Sequence, residues 1–206
     1  MPSYRVNQAL LQATDKFARL LDGRFHRGVA TSERAVLFTF CYALIESLGF
    51  RPEEMILEAR HEAIKGAIDL LISPFNDATR CAVECKYDQH KLKRDYSEYN
   101  QRAGKKFKDI FRLALLYSPT METLFVYLTD RQMANYFRDK KNLMDDFFDL
   151  KEGNTCKVDD SNLPQNNYFR SNAGPITPCM VTMLLSRSLF DEHELCVYRV
   201  YTSEFR

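Results

Sequence analysis

Three charged residues interrupt two apolar segments near the middle of the chain. Asp69 lies in the first segment, and Glu84 and Lys86 lie two residues apart in the second. Carboxylates held close together repel each other unless a cation lies between them, and Mg²⁺ and Mn²⁺ prefer such oxygen ligands. A lysine beside a bound ion is placed to orient a water molecule or to neutralise developing charge. The residue types therefore suggest a site for a divalent cation.

The segments that carry these residues are predicted to form a β-hairpin. β-favouring residues alternate with a period of two over 67–72 and 81–86, and Gly66 and the polar residues 74–77 bound them. A symmetric loop pairs residue 67 with residue 86 and residue 69 with residue 84. Asp69 then faces Glu84 across the two strands, with Cβ atoms about 5 Å apart. Because like charges in that position destabilise a hairpin, we expect a divalent cation to compensate them.

A solvated surface strand is the simpler interpretation of the same acids. Ala67, Leu71 and Ala82 share their face of the predicted hairpin, and this composition is unlike that of a water-facing surface. Two carboxylates and an ammonium group in apolar surroundings are costly unless they are paired or metal-bound. The hairpin alone leaves both interpretations open.

Asp69, a loop and then Glu84-Cys85-Lys86 resemble the Asp…Glu-x-Lys core of the PD-(D/E)XK nuclease superfamily, which has the restriction-endonuclease-like fold. Ile68 stands where the family name has proline, at a position that the family specifies loosely. The resemblance implies a Mg²⁺ site, with Mn²⁺ as a substitute, made of Asp69, Glu84 and the carbonyl of Cys85. It implies a catalytic role for Lys86 and hydrolysis of phosphodiester bonds, most readily in DNA.

A helix before the hairpin carries a further acid. Thr31 or Ser32 is predicted to cap this helix and Gly49 to end it. Glu33 falls on its apolar face, whereas Glu46 falls on its polar side. The helix dipole offers a purely structural reason for an acid in the first turn. Superfamily members use a carboxylate from a helix before the sheet, so the resemblance assigns Glu33 to the catalytic metal site.

The remaining pattern predicts an α/β protein in which a mixed sheet of four to five strands is flanked by helices, and the resemblance implies that this is a restriction-endonuclease-like core. A strand over 55–60 precedes the hairpin, and a strand over 123–129 follows a helix over 99–116, which makes it parallel to the Glu84 strand. We expect one domain over 1–206. Its predicted parts are a helix over 4–22 that Gly23 ends, a core over about 31–130 and an extension over 131–206. In the extension we expect helices at about 130–138 and 141–150 and then a loop over 151–178. A closing pair of strands is expected over 180–185 and 195–201.

A basic segment follows the Glu84 strand and suggests a polyanionic partner. Residues 80–112 contain ten Lys and Arg against five Asp and Glu, although the whole chain has a net charge of only +1. A solvated charged helix is the alternative interpretation. We predict that nucleic acid, DNA in the first place, contacts Lys91, Lys93, Arg94, Gln101, Arg102, Lys105 and Lys106.

Composition bears on the compartment and on zinc. The six cysteines contain no Cys-x-x-Cys pair, and Cys81 and Cys85 on one strand are about 13 Å apart, too far to share a metal. We expect reduced thiols in a cytoplasmic protein without zinc. No apolar run approaches the length of a membrane span, and the first residues lack the apolar stretch of a signal peptide.

Two other functions stay open at this point. Viral cap-snatching RNA endonucleases share the same core, often with a histidine metal ligand, and His26 or His61 is available for that role. A non-catalytic nucleic-acid-binding protein on the same fold is the second alternative, although it gives no reason to keep the acids and the lysine together. The resemblance also allows a homodimer.

Overall fold

The computed structural model describes residues 3–29, 31–73, 80–90, 96–142 and 144–202. It is an α/β structure, in which helices cover both faces of one mixed seven-stranded sheet. The strands are β1 (Met55–Arg60), β2 (Ala67–Ile72), β3 (Arg80–Asp88), β4 (Met121–Asp130), β5 (Thr155–Val158), β6 (Cys179–Leu189) and β7 (His193–Tyr201). Their spatial order is β1-β2-β3-β4-β7-β6-β5.

The pairing of β2, β3 and β4 follows the predicted arrangement. β2 and β3 are antiparallel, and the predicted register is confirmed over Leu70–Ile72 and Cys81–Val83; the ladder ends there, so the predicted pairs 69 with 84 and 67 with 86 are not formed between the described strands. β3 and β4 are parallel, as a strand–helix–strand crossover requires. β1 begins and ends where the sequence predicts and pairs antiparallel with β2.

The sheet is larger than the predicted four to five strands. The C-terminal hairpin of β6 and β7 continues the central sheet, because β7 pairs antiparallel with the outer side of β4. β5 then pairs with β6, within the segment predicted to be a loop. Such long-range pairings depend on which strand edges are left free, and local sequence patterns do not reveal this.

The helices are α1 (Ser3–His26), α2 (Glu33–Leu48), α3 (Tyr96–Leu116), α4 (Arg131–Arg138), α5 (Asp145–Phe148) and α6 (Asn167–Ala173). Ser32 caps α2, since its hydroxyl accepts a hydrogen bond from the Ala35 amide at 3.2 Å, and Gly49 ends it at φ 68°. The prediction that Gly23 ends α1 is wrong. The helix continues past Gly23 to His26 and thereby buries Phe25. The burial of Phe25 outweighs the free-energy cost of a glycine inside a helix, which is about 1 kcal/mol.

Each face of the sheet has its own apolar core. On one face α1 and α2 pack together, with the rings of Phe17 and Phe40 5.0 Å apart edge to face. On the other face Phe107 of α3 packs against Phe147 and Phe169. Burying one such side chain stabilises the fold by about 1.5–3 kcal/mol. Among the described residues, no helix is long and apolar enough to cross a membrane.

The region after β4 contains more regular secondary structure than the sequence predicts. The helix expected over 141–150 is reduced to α5, after a 3₁₀ turn at Lys140–Asn142, and the segment expected as loop contains β5 and α6. α6 packs directly on α3 at Gly104, where a Cβ atom would lie 2.9 Å from the Cβ of Asn172. Only a glycine allows this approach of the two helices.

Candidate active site

The site lies where β2 separates from β3. Their recorded pairing covers Leu70–Ile72 with Cys81–Val83, while β2 stays paired with β1 as far as Ala67 and β3 stays paired with β4 as far as Asp88. We call the opening between Ala67–Asp69 and Glu84–Lys86 the fork. Asp69 bridges it, because its Oδ2 accepts a hydrogen bond from the Cys85 amide at 2.7 Å. Asp69 and Glu84 are therefore neighbours at the open end of the ladder.

The ammonium group of Lys86 lies at the centre of the fork. Its Nζ is 3.5 Å from Glu33 Oε1, 3.7 Å from Asp69 Oδ2 and 3.4 Å from Asp109 Oδ2. It also donates a hydrogen bond to the carbonyl of Cys85 at 3.0 Å. Burial lowers the pKa of Lys86, but the negative charges of Asp109, Asp69 and Glu33 together raise it above its ordinary value. Lys86 is therefore a permanent cation at neutral pH.

Glu84 lies deeper, with 2% of its surface exposed. Its Oε1 is 3.1 Å from Arg112 Nη1 and forms no hydrogen bond. Burial, reinforced by the charges of Asp109 and Asp69, raises the pKa of Glu84 to about 9. The fork therefore holds one carboxyl group that is costly to ionise without a further cation.

Glu33 reaches the site from the first turn of α2. Besides Lys86, it approaches the backbone amide of Tyr87, which donates to Glu33 Oε2 at 3.4 Å. Burial raises the pKa of Glu33, and the charge of Lys86 lowers it in part. Glu46 instead pairs with Lys16 at 3.0 Å, well away from this contact. The two acids of α2 thus have separate environments.

Sequence reasoning missed two residues of the site, Asp109 and Arg112 of α3. They pair with each other at 3.0 Å, and Arg112 also binds the carbonyl of Ala67 and so closes the fork on the β2 side. The available signal was an acid next to the apolar residues Ile110 and Phe111 on the inner side of α3. We refer to Glu33, Asp69, Glu84, Lys86, Asp109 and Arg112 as the Lys86 cluster.

The Lys86 cluster fits a hard divalent cation in chemistry and charge. Its four carboxylates face two cationic groups, which leaves two negative charges if every acid is ionised. Its ligand atoms are all oxygens, the type that Mg²⁺ and Mn²⁺ prefer. As the side chains lie, Lys86 holds the position between the carboxylates, and no three His, Cys, Asp or Glu among the described residues form a ready metal-binding group.

A second cluster lies two residues farther along β3. Asp88 binds Arg102 Nη2 at 2.5 Å and contacts the ammonium group of Lys106, and the hydroxyl of Tyr127 donates to it at 3.2 Å. Burial raises the pKa of Asp88, but Lys106 and Arg102 bring it below its ordinary value. We refer to Asp88, Arg102, Lys106 and Tyr127 as the Asp88 cluster.

The Asp88 cluster corrects one expectation about α3. Lys106 is only 2% exposed, with its ammonium group 4.6 Å from the ring centre of Phe137, so it is not displayed to solvent as a predicted nucleic-acid contact should be. Burial lowers the pKa of Lys106, and the charge of Asp88 offsets this in part. Arg102 is committed to Asp88 and to the carbonyl of Gln89. Both residues connect α3 to β3.

The other residues predicted to contact nucleic acid fall into two groups. Lys105 is exposed and Gln101 is half-buried, both on α3. Lys91, Lys93 and Arg94 lie outside the described residues. The expectation that these side chains contact nucleic acid stays a prediction.

The histidines considered as metal ligands have other partners. His26 lies 3.5 Å from Asp22 and stacks on Phe190, and Nδ1 of His61 accepts a hydrogen bond from the Ala63 amide. Within the described part of the chain, neither histidine forms a recorded contact with Asp69 or Glu84. The geometry therefore gives no support to a histidine ligand.

Comparisons of the chain with models of protein families, with curated proteins and with solved structures found no match. The resemblance to the PD-(D/E)XK superfamily therefore rests on the Asp69…Glu84-Cys85-Lys86 motif. What the fork can do chemically follows from its own residues. It combines carboxylate oxygens, more acidic than basic side chains, and a lysine whose side chain is 23% exposed.

Proposed function

We propose that this chain is a metal-dependent nuclease that hydrolyses phosphodiester bonds in DNA, built on a restriction-endonuclease-like core of α2, β1–β4 and α3. The observation that carries the proposal is the convergence of Glu33, Asp69 and Asp109 on Lys86 at the open end of β3, with Glu84 buried beside them against Arg112. A purely structural ion-pair network is expected to balance its charges and satisfy its buried atoms. The Lys86 cluster has an excess of carboxylates, and Glu84 Oε1 lacks a hydrogen bond.

The proposed ligands of the ion are Asp69, Glu84 and the carbonyl of Cys85, with Glu33 as a further ligand. An ion at this position would acidify a water molecule and stabilise charge on the phosphate. Asp69 is already oriented for this role, because the Cys85 amide fixes its Oδ2 and leaves Oδ1 for another partner. Arg112 holds Glu84 in place at 3.1 Å.

Lys86 has a separate role in this proposal. Two of the proposed ligands, Glu33 and Asp69, now lie against its ammonium group. When these carboxylates bind an ion instead, the ammonium group of Lys86 becomes available. It can then hold the attacking water or neutralise the charge of the phosphate in the transition state. The four methylene groups of the Lys86 side chain allow the ammonium group to move, because the cluster contacts only that end of the side chain.

The test is cleavage of supercoiled plasmid by the wild type, Glu84→Ala and a matched control, Glu46→Ala. The control removes an acid of the same kind that lies on α2 and pairs with Lys16. We expect nicking or linearisation with Mg²⁺ or Mn²⁺ by the wild type and the control, none with EDTA, and a loss of at least about 1,000-fold in Glu84→Ala.

Three results would change the proposal. Full activity of Glu84→Ala or of Asp69→Ala would contradict the residue assignment. Metal-dependent thermal stabilisation without plasmid cleavage, followed by cleavage of a single-stranded RNA, would shift the substrate from DNA to RNA. If the chain binds DNA equally well with Mg²⁺ and with EDTA and cleaves neither DNA nor RNA, we would conclude that it is a non-catalytic nucleic-acid-binding protein.

A further inference from the structure

The basic residues of α3 divide into two sets that the structure uses differently. Arg102 and Lys106 face inward and neutralise Asp88. Lys105 and Lys108 are exposed, and among the described residues neither forms an ion pair. Unpaired lysines beside an acidic cluster are not needed for the stability of α3. They are available to an anionic partner.

These two lysines are aligned with the fork. Lys105, Lys108 and Arg112 follow one another at steps of three and four residues, which places them along one face of the helix. Lys105 also lies one turn before Asp109, whose carboxylate is 3.4 Å from Lys86 Nζ. From Lys105 to Arg112 the helix rises about 10.5 Å, the length of about three stacked nucleotides. The lysines thus form a basic stripe that leads to the Lys86 cluster.

An exposed aromatic residue lies on the helix beside this stripe. Phe169 and Ala173 of α6 place their backbone against Gly104, the residue that precedes Lys105. Tyr168, the neighbour of Phe169 in α6, is 50% exposed, although Phe169 itself is fully buried. An exposed tyrosine on a helix that packs against α3 one residue before Lys105 supplies, together with unpaired lysines, the two kinds of group that bind single-stranded nucleic acid, because bases stack on an aromatic ring while ammonium groups contact phosphates.

We propose that Lys105 and Lys108 of α3, with Tyr168 of α6, bind a single-stranded segment of the DNA substrate and lead its backbone to the fork. The destination of the strand rests on the proposed nuclease function, whereas the binding itself does not. Duplex DNA offers the same phosphates, but its bases are stacked on each other and leave none for Tyr168. The substrate class that follows is DNA with a single-stranded stretch next to the cleaved bond.

The experiment measures the affinity of a labelled dT oligonucleotide and of a duplex of equal length by fluorescence anisotropy, in EDTA so that no cleavage takes place. The variants are Tyr168→Ala and the double variant Lys105→Gln with Lys108→Gln. The matched control is Lys141→Gln with Lys151→Gln, which removes two exposed lysines outside α3. Thermal melting establishes that each variant is folded.

We expect the α3 double variant to bind the oligonucleotide about tenfold more weakly than the wild type at low salt. The slope of log affinity against log salt concentration should decrease by about 1.4, since each phosphate contact of a single strand contributes about 0.7. Tyr168→Ala should weaken binding of the oligonucleotide at least about fivefold and affect the duplex less. The control should bind like the wild type.

The outcomes separate this proposal from the nuclease function. If the α3 double variant binds like the control while the wild type cleaves plasmid, the proposed binding of a single strand along α3 is wrong and the proposed nuclease function is retained. If the wild type binds the oligonucleotide through these residues but cleaves no nucleic acid, the proposed binding along α3 is retained and the proposed nuclease function is wrong. An equal effect of Tyr168→Ala on oligonucleotide and duplex would overturn the preference for single strands.

Discussion

Two clusters of charge lie on the same face of β3, two residues apart, and they are opposite in composition. The Lys86 cluster contains four carboxylates and two cationic groups. The Asp88 cluster contains one carboxylate and two cationic groups, with a tyrosine hydroxyl as a further donor. Both connect β3 to α3, so their position in the fold does not explain the difference.

The difference lies in how completely each cluster satisfies its own atoms. Both oxygens of Asp88 have cationic or hydroxyl partners, and its neighbour Lys106 is shielded by Tyr127 and Phe137. In the Lys86 cluster Glu84 Oε1 has the Arg112 guanidinium at 3.1 Å but no hydrogen bond, and the side chain of Glu33 is 46% exposed. A closed network stabilises a fold, whereas an open one with excess charge can take up an ion. Substitutions in the two clusters should therefore have different consequences.

The largest expected effect on stability comes from the Asp88 cluster. Asp88→Ala leaves the ammonium group of Lys106 buried without its carboxylate, so the free energy of unfolding should fall by about 3–5 kcal/mol. Urea denaturation followed by circular dichroism measures this loss. The double variant Asp88→Leu with Lys106→Met removes both charges and should regain part of it. A loss below 1 kcal/mol in Asp88→Ala would mean that the two clusters do not differ as described.

Lys86→Ala should separate metal binding from cleavage. Removing the ammonium group leaves Glu33, Asp69 and Asp109 without their shared cation, so the melting temperature in EDTA should fall. Mg²⁺ should then raise it by more than in the wild type, because the ion no longer competes with Lys86. Plasmid cleavage should nevertheless fall by about 100-fold or more, since the proposed catalytic group is absent.

The control for Lys86→Ala is Lys141→Ala, which changes the net charge equally at an exposed position. Its melting temperature should respond to Mg²⁺ like that of the wild type. A Mg²⁺ shift in Lys86→Ala no larger than in this control would contradict the idea that lysine and ion use the same carboxylates.

The smallest expected effect is on the pH dependence of stability. In metal-free buffer, folded Glu84 keeps its proton up to about pH 9, whereas the carboxyl of the unfolded chain titrates near 4.5. The folded state thus binds more protons between these values, so its stability falls as the pH rises through this range. Glu84→Gln cannot ionise, so its stability should vary less between pH 5 and 9 in urea denaturation. Equal pH profiles would contradict the conclusion that burial makes this carboxyl costly to ionise.

Local patterns predicted the parts of the molecule that depend on neighbouring residues. The register of β2 and β3 follows from the alternation of their side chains, and the ends of α2 follow from Ser32 and Gly49. The face on which Glu33 lies follows from helical periodicity and brings it to Lys86. In these cases residues within about twenty positions determine the register, the helix ends and the helix face on which Glu33 lies.

Features that depend on distant partners were not predictable in this way. Apolar periodicity places Lys106 outside and Leu115 inside α3, yet Lys106 is 2% exposed and Leu115 is 53% exposed. The reason is that Asp88 and Lys86, both on β3, pair with Lys106 and Asp109, so the helix turns a charged side toward the sheet. The pairing of β7 with β4 is likewise a contact between distant segments.

The bridge that Asp69 makes across the fork has a consequence for local opening. Once β2 leaves β3, the hydrogen-bond acceptor for the Cys85 amide is a side chain instead of a neighbouring strand. The rate at which this single amide proton exchanges with deuterium therefore depends on whether Asp69 stays turned toward it. A ligand that holds Asp69 from its other oxygen should slow that exchange, and a label at one backbone position would report events in the fork without any substrate.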